Sequence, residues 1–126
     1  MNIRSKKGFT LMEMLIVVAI IAILVVIAIP VFQSQLENTR KAVDDANARS
    51  VKSLAVTYAM TTENVFGTET SVKLYGVQGT DKTTMQIATA ASGEGYGQTA
   101  ANKGKIFAVT IDTNYNVTAS GWEAVS

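Results

Sequence analysis

From Met14 to Ile29 every residue is apolar. Extended to Phe9 and Phe32, the run is long enough, at about 1.5 Å of rise per residue, to cross a bilayer core of about 30 Å as a helix. One charge interrupts it, Glu13, close to its amino end. After Pro30 the pattern changes. From Val31 to about Thr61 the residues Phe32, Leu36, Val43, Val51, Leu54 and Tyr58 fall near one helical face, with Thr39 and Asn47 filling the gaps. The opposite face carries the acid-first pairs Glu37–Lys41 and Asp45–Arg49 at i,i+4, each stabilising by a few tenths of a kcal/mol. No glycine breaks the run before Gly67, so the spacing predicts one helix from Phe9 to Thr61.

Beyond Thr61 the periods are shorter. Ser71–Val77 alternates as a weak strand, and Thr80 or Asp81 is placed to cap a short helix through Lys82–Ala91 that Gly93 terminates. Ser92–Gly104 is rich in small and polar residues and reads as a mobile loop. Lys105–Ile111 is the clearest strand, followed by turn residues Asp112-Thr113-Asn114-Tyr115, a partner strand over Asn116–Ala119 and a last edge over Gly121–Val125. Trp122 is expected to pack on the helix. The predicted fold is α+β: a long N-terminal α-helix, apolar in its lower half and amphipathic above, packed on a small antiparallel β-sheet head. The predicted division is 1–8 leader, 9–32 apolar helix, 33–62 amphipathic helix and 63–126 head.

Composition narrows the chemistry. Of 126 residues 48% are hydrophobic, concentrated before Phe32, which leaves the head with few large apolar side chains of its own. Cysteine and histidine are absent, removing disulfides, thiolate metal sites and the usual general base. The formal net charge of +1 hides an asymmetry, because Arg4, Lys6 and Lys7 stand together in Met1–Gly8. Without that leader 8 basic residues face 10 acidic ones, a net of −2, which gives no footprint for nucleic acid.

The leader has the basic start of a secretory signal, but the apolar run is longer than a signal's 7–15 residues and no A-x-A-like site with polar sequence follows. A plain membrane anchor fits these facts. The three leader cations would then hold the amino end in the cytoplasm and leave Gln33 onward outside, with Arg40 and Lys41 weakening that bias. Glu13 is what an anchor does not explain. A carboxylate at mid-bilayer costs roughly 2.5–3.5 kcal/mol, less at one turn from the end. If the chain were cut after Gly8, the ammonium on Phe9 could meet Glu13 of its own or a neighbouring helix, for about 4 kcal/mol at about 4 Å and an effective dielectric near 20. An anchor tolerates Glu13; an assembling segment has a use for it.

The stretch Lys6-Lys7-Gly8-Phe9-Thr10-Leu11-Met12-Glu13-Met14, followed by an aliphatic run and Pro30, closely resembles type IV prepilins and pseudopilins. The resemblance covers about Ser5 to Phe32 and departs mildly at Met12, where many relatives carry valine or isoleucine. It implies that a prepilin peptidase/methyltransferase cuts between Gly8 and Phe9 and methylates Phe9. It implies that Glu13 pairs with the amino terminus of an adjacent subunit, and that the helix before Pro30 partly unwinds in a filament. In the isolated subunit a gentle kink at Pro30 is expected instead. The implied partners are further copies of the chain, the inner-membrane assembly platform, minor pilins and, before assembly, membrane lipid. The function expected is a structural pilin of a type IV pilus or pilus-like filament. A pseudopilin of a type II secretion or competence DNA-uptake system is the alternative within the family, and a monomeric signal-anchored ligand-binding domain the one outside it.

Other constellations are weaker. Asp112, Asn114, Asn116 and Glu123 match the ligand spacing of a calcium loop, but Val117 stands where that loop needs glycine and the flanks read as strands. A turn of Asx residues explains the same letters, leaving calcium a weak candidate and no cofactor required. Gly95-Tyr96-Gly97 lacks the lysine and spacing of a phosphate loop, and Asn116-Val117-Thr118 fits the common glycosylation triplet. No nucleophile–base pair has a defined spacing, so no enzyme is expected.

Overall fold

The computed structural model describes residues 10–125. Its elements are α1 (Leu11–Thr61), β1 (Ser71–Gln78), β2 (Met85–Ala88), β3 (Lys105–Asp112) and β4 (Val117–Ala124). The four strands form one antiparallel sheet in the order β2-β1-β3-β4, giving the α+β arrangement of a type IV pilin-like fold. The chain divides into two compact units, residues 1–36 and 37–126.

In the first unit α1 is apolar on every side, and its large side chains stand exposed, from Leu11 at 79% to Phe32 at 68%. It is long and apolar enough to cross a membrane. A helix hydrophobic all round needs lipid or protein around it. At about 1.5–3 kcal/mol for each large side chain covered, the covering is worth tens of kcal/mol. Pro30 has no N–H to give the Val26 carbonyl, yet the helix continues unbroken on both sides of it.

In the second unit the helix buries Asp44, Val51, Ala55 and Ala59, with Ala48 packed beside them. This face differs from the predicted one. Val43 and Leu54 remain about two-fifths exposed, because small residues on the helix let the sheet approach while the sheet supplies the bulk. Leu74 and Val109 lie directly opposite each other, as do Val72 and Ile111. Gly76 continues their face, and a Cβ there would stand 2.3 Å from Val51 Cγ2 and 2.7 Å from Tyr96 Oη. Only glycine fits that approach. The Glu37 partner is Arg40, at 3.6 Å, rather than Lys41.

Two further expectations are corrected. The short helix over Lys82–Ala91 is replaced by β2, paired with β1 from Tyr75↔Ala88 to Gln78↔Met85. Asp81 does receive the Thr83 and Thr84 amides on Oδ1, as a helix cap would. With Lys82 at φ 57 and the Gly79 amide donating to the Thr84 carbonyl, however, the chain turns back as a hairpin. The side chain and backbone donors of Thr83, then those of Thr84, lower the Asp81 carboxyl to about 2. The two final strand segments are one strand, β4, with a bulge opposite Thr110/Ile111. Trp122 packs edge-on against Phe107 and Tyr96, at ring-centroid distances of 5.3 and 5.2 Å, beside the core cluster that holds Val51, Ala55 and Ala59 of the helix.

Candidate functional site

The start of α1 is closed by its own side chains. The Thr10 amide donates to Glu13 Oε2 at 3.1 Å, and the Glu13 amide donates to Thr10 Oγ1 at 3.2 Å. The Met14 amide reaches the Thr10 carbonyl at 3.1 Å and completes the first turn. This is a capping box, in which two of the orphan amides at a helix start are satisfied reciprocally. The carboxylate also lies at the positive end of the helix dipole. Thr-x-x-Glu before an apolar run is the sequence signature of this cap. Glu13 therefore has a local use in the first turn of α1, independent of any partner chain.

Gly8 and Phe9, at the expected cut, and the leader cations lie outside the described residues. Pro30 lies within α1, among side chains that are exposed.

The head carries a second polar centre that the sequence did not disclose. Asp44 is 3% exposed on the buried face of α1. Its Oδ1 accepts the Gln98 amide at 2.7 Å. Its Oδ2 accepts the Thr99 amide at 3.1 Å, Thr99 Oγ1 at 2.8 Å and Asn102 Nδ2 at 2.8 Å. Burial alone would raise the carboxyl, but the hydrogen bonds from Gln98, Asn102 and Thr99 outweigh it and hold it below the usual carboxylate range. Asp44 thus ties down the 98–102 part of the loop whose composition reads as mobile. No local pattern links positions more than fifty residues apart. Within that loop Gly97 lies so close to Asn102 that a Cβ would stand 2.1 Å from its carbonyl oxygen, which accounts for the Gly-Tyr-Gly stretch without a phosphate.

Tyr96, from the same loop, fills a fork in the sheet. The β1–β3 ladder ends at Tyr75↔Ala108, and the next amide, that of Phe107, donates to Tyr96 Oη at 3.0 Å. Burial pushes the Tyr96 phenol up to about 12.

Of the weak calcium set, Asp112, Asn114 and Asn116 come together and Glu123 does not. Asp112 Oδ1 accepts the amides of Asn114 and Asn116, both at 2.9 Å, closing the β3–β4 turn. Glu123 stands opposite Ile106 at the far end of the hairpin and pairs with Lys73 at 2.6 Å. Among the described residues no group of three or more His, Cys, Asp or Glu side chains is placed to hold a metal.

Residues 3–29 match the model of the prokaryotic N-terminal methylation motif. The chain is similar to the type IV narrow pilus major component PilA5 of Thermus thermophilus, 41% identical over 69 residues, which are 55% of this chain and 57% of that relative. The chain therefore spans a little over half the length of the relative it matches. No solved structure matches. Motif and fold agree: the chain carries the prokaryotic N-terminal methylation motif at the start of a type IV pilin-like α+β fold.

Proposed function

We propose that this chain is a structural pilin: a repeating subunit of a type IV pilus or pilus-like filament, held in the membrane by the apolar half of α1 before assembly. The observation that carries the reading is the apolar N-terminal helix, exposed on every side and opened by a capped glutamate, within a matched methylation motif. Tens of kcal/mol of uncovered apolar surface require either lipid or neighbouring copies of the same helix. Moving from one to the other gains little hydrophobic energy, because lipid tails are as apolar as leucine, so polar pairing and packing must direct the association.

In this account the leader cations keep the amino end cytoplasmic and the head outside. The peptidase cuts between Gly8 and Phe9 and methylates Phe9. The new ammonium then lies one residue before the capping box, at the positive end of the helix dipole, where a cation is disfavoured. The Glu13 carboxylate compensates it, and pairing with a neighbour's amine fixes the stagger between subunits. Such a chain is structural rather than catalytic. Because the same motif resembles that of pseudopilins, a secretion or competence pseudopilus is the second reading. The relative, named a major pilus component, favours the first.

The test is the composition of filaments sheared from the cell surface. The chain should dominate them, with an N-terminal peptide that begins at methylated Phe9. Trace amounts in filaments would favour the pseudopilin reading, and an intact Met1 terminus on the mature protein would contradict the proposal.

A further inference from the structure

We infer that the two ends of the head bind each other between copies, a carboxylate from the Glu63/Glu69 end of one seating in the Arg40–Lys103 groove of the next. The inference rests on the filament reading above.

The groove, of about 570 Å³, lies where α1 enters the head and is lined by Arg40, Lys103, Gln98 and the glycines Gly95, Gly97 and Gly104. Among the described residues no acidic side chain lines it. Lys103 is exposed and has no ion pair among the described residues. Among the described residues the ion pair of Arg40 is with Glu37, at 3.6 Å across an exposed surface, a contact worth little, so its guanidinium is available to a better partner. The walls are firm. The Asp44 carboxylate fixes Gln98, Thr99 and Asn102 from beneath, and the Lys103 amide donates to the Thr99 carbonyl at 2.9 Å.

The other end of the head lies about 30 Å away along α1 at 1.5 Å per residue. There the segment after Thr61 meets the β3–β4 turn. Phe66 packs on Tyr115 with ring centroids 5.9 Å apart, and the Thr113 amide reaches the Thr70 carbonyl at 3.3 Å. Residues 61–71 and 112–117 contain Glu63, Glu69 and Asp112 and no lysine or arginine. The Asp112 carboxylate is engaged by its own turn, whereas Glu63 and Glu69 are exposed and have no ion pair among the described residues. Opposite charges at opposite ends of one body make a heterologous contact, in which different patches of successive copies meet. Such a contact repeats along an open helical polymer instead of closing a dimer. The pairs lie near solvent and are salt-screened, so they select which copy docks and in what register more than they hold the polymer together.

The test is a charge swap in the full chain expressed in its own cells, read as filament yield after shearing, with processed protein in the membrane as the folding control. Arg40→Glu with Lys103→Glu should cut filament yield by about tenfold while processed protein stays at its normal level, because attraction becomes repulsion at every junction. Glu63→Lys with Glu69→Lys should do the same. All four changes in one chain should restore most of the yield. Normal filaments from either double variant, or a four-fold variant no better than the doubles, would overturn the contact. The cut and methylation at Phe9 are read separately, so that outcome leaves the filament reading standing.

Discussion

Thr10 and Glu13 each bond the other's backbone amide, at 3.2 and 3.1 Å, so the first turn of α1 is closed before any second subunit is present. A carboxylate so placed accepts an amide proton instead of facing lipid unpaired, which reduces the cost of holding it at the edge of the apolar run. It also holds the carboxylate in place for a cation arriving at the same end of the helix.

Thr10→Val keeps the side chain's shape and removes the hydroxyl that accepts the Glu13 amide. Losing a cap of this kind costs about 1 kcal/mol, or about a fivefold change in an equilibrium. Filament yield is expected to fall severalfold without vanishing, and Thr10→Ser to stay near normal. Electron-microscopic counts of sheared filaments check both; an unchanged count from Thr10→Val would show that the cap does not matter to assembly.

The Asp44 centre makes head stability depend on pH with a definite sign. The folded carboxyl sits below its unfolded value of about 3.9, so its stabilising contribution is fully present above that value and is lost as pH falls through the lower, folded one. Asp44→Asn turns an acceptor oxygen into a donor facing donors. It should cost about 3 kcal/mol at pH 7, lowering the melting temperature by about 10 °C or more. In thermal melts of detergent-solubilised protein, the gap between Asp44→Asn and the parent should narrow on acidification below pH 4. A gap constant from pH 7 to pH 3 would contradict the assignment.

Gly76→Ala drives a methyl group into Val51 and the Tyr96 hydroxyl. The expected cost is about 1–3 kcal/mol. Adding Val51→Ala makes room, so the double variant should be more stable than the sum of the two single losses allows. Strict additivity in thermal melts would show that the methyl does not meet Val51.

What the sequence disclosed follows the range of its interactions. The apolar run, the helix to Thr61 and the strands at Ser71 and Lys105 rest on local periods, which neighbours in the chain reveal. The buried helix face is not legible locally because the sheet sets it: Val51 goes in as its period predicts, but Ala55 and Ala59 are buried where Leu54 is not. The Lys82–Ala91 segment failed for a related reason. An Asp81 side chain that captures the next amides starts a helix or a hairpin equally well, and pairing of Met85–Ala88 with β1 decided it. At the amino end the Thr10-x-x-Glu13 cap is a local pattern that the sequence itself displays.

Glu13→Gln separates the two uses of this side chain, the cap and the charge that pairs with a neighbouring copy. The amide oxygen of glutamine can still accept the Thr10 amide, preserving the cap, while the negative charge that would meet a neighbour's Phe9 amine is gone. Glu13→Ala removes both and should leave membrane insertion and leader cleavage intact while abolishing or misregistering assembly. The measurement is the number and helical symmetry of surface filaments from cells that carry the Glu13→Gln chain, with processed Phe9-ended protein quantified in the membrane. Processed protein should accumulate in the membrane with few or no filaments, as for Glu13→Ala. Filaments of normal number and symmetry would contradict this, showing that the cap and apolar packing set the register without the charge.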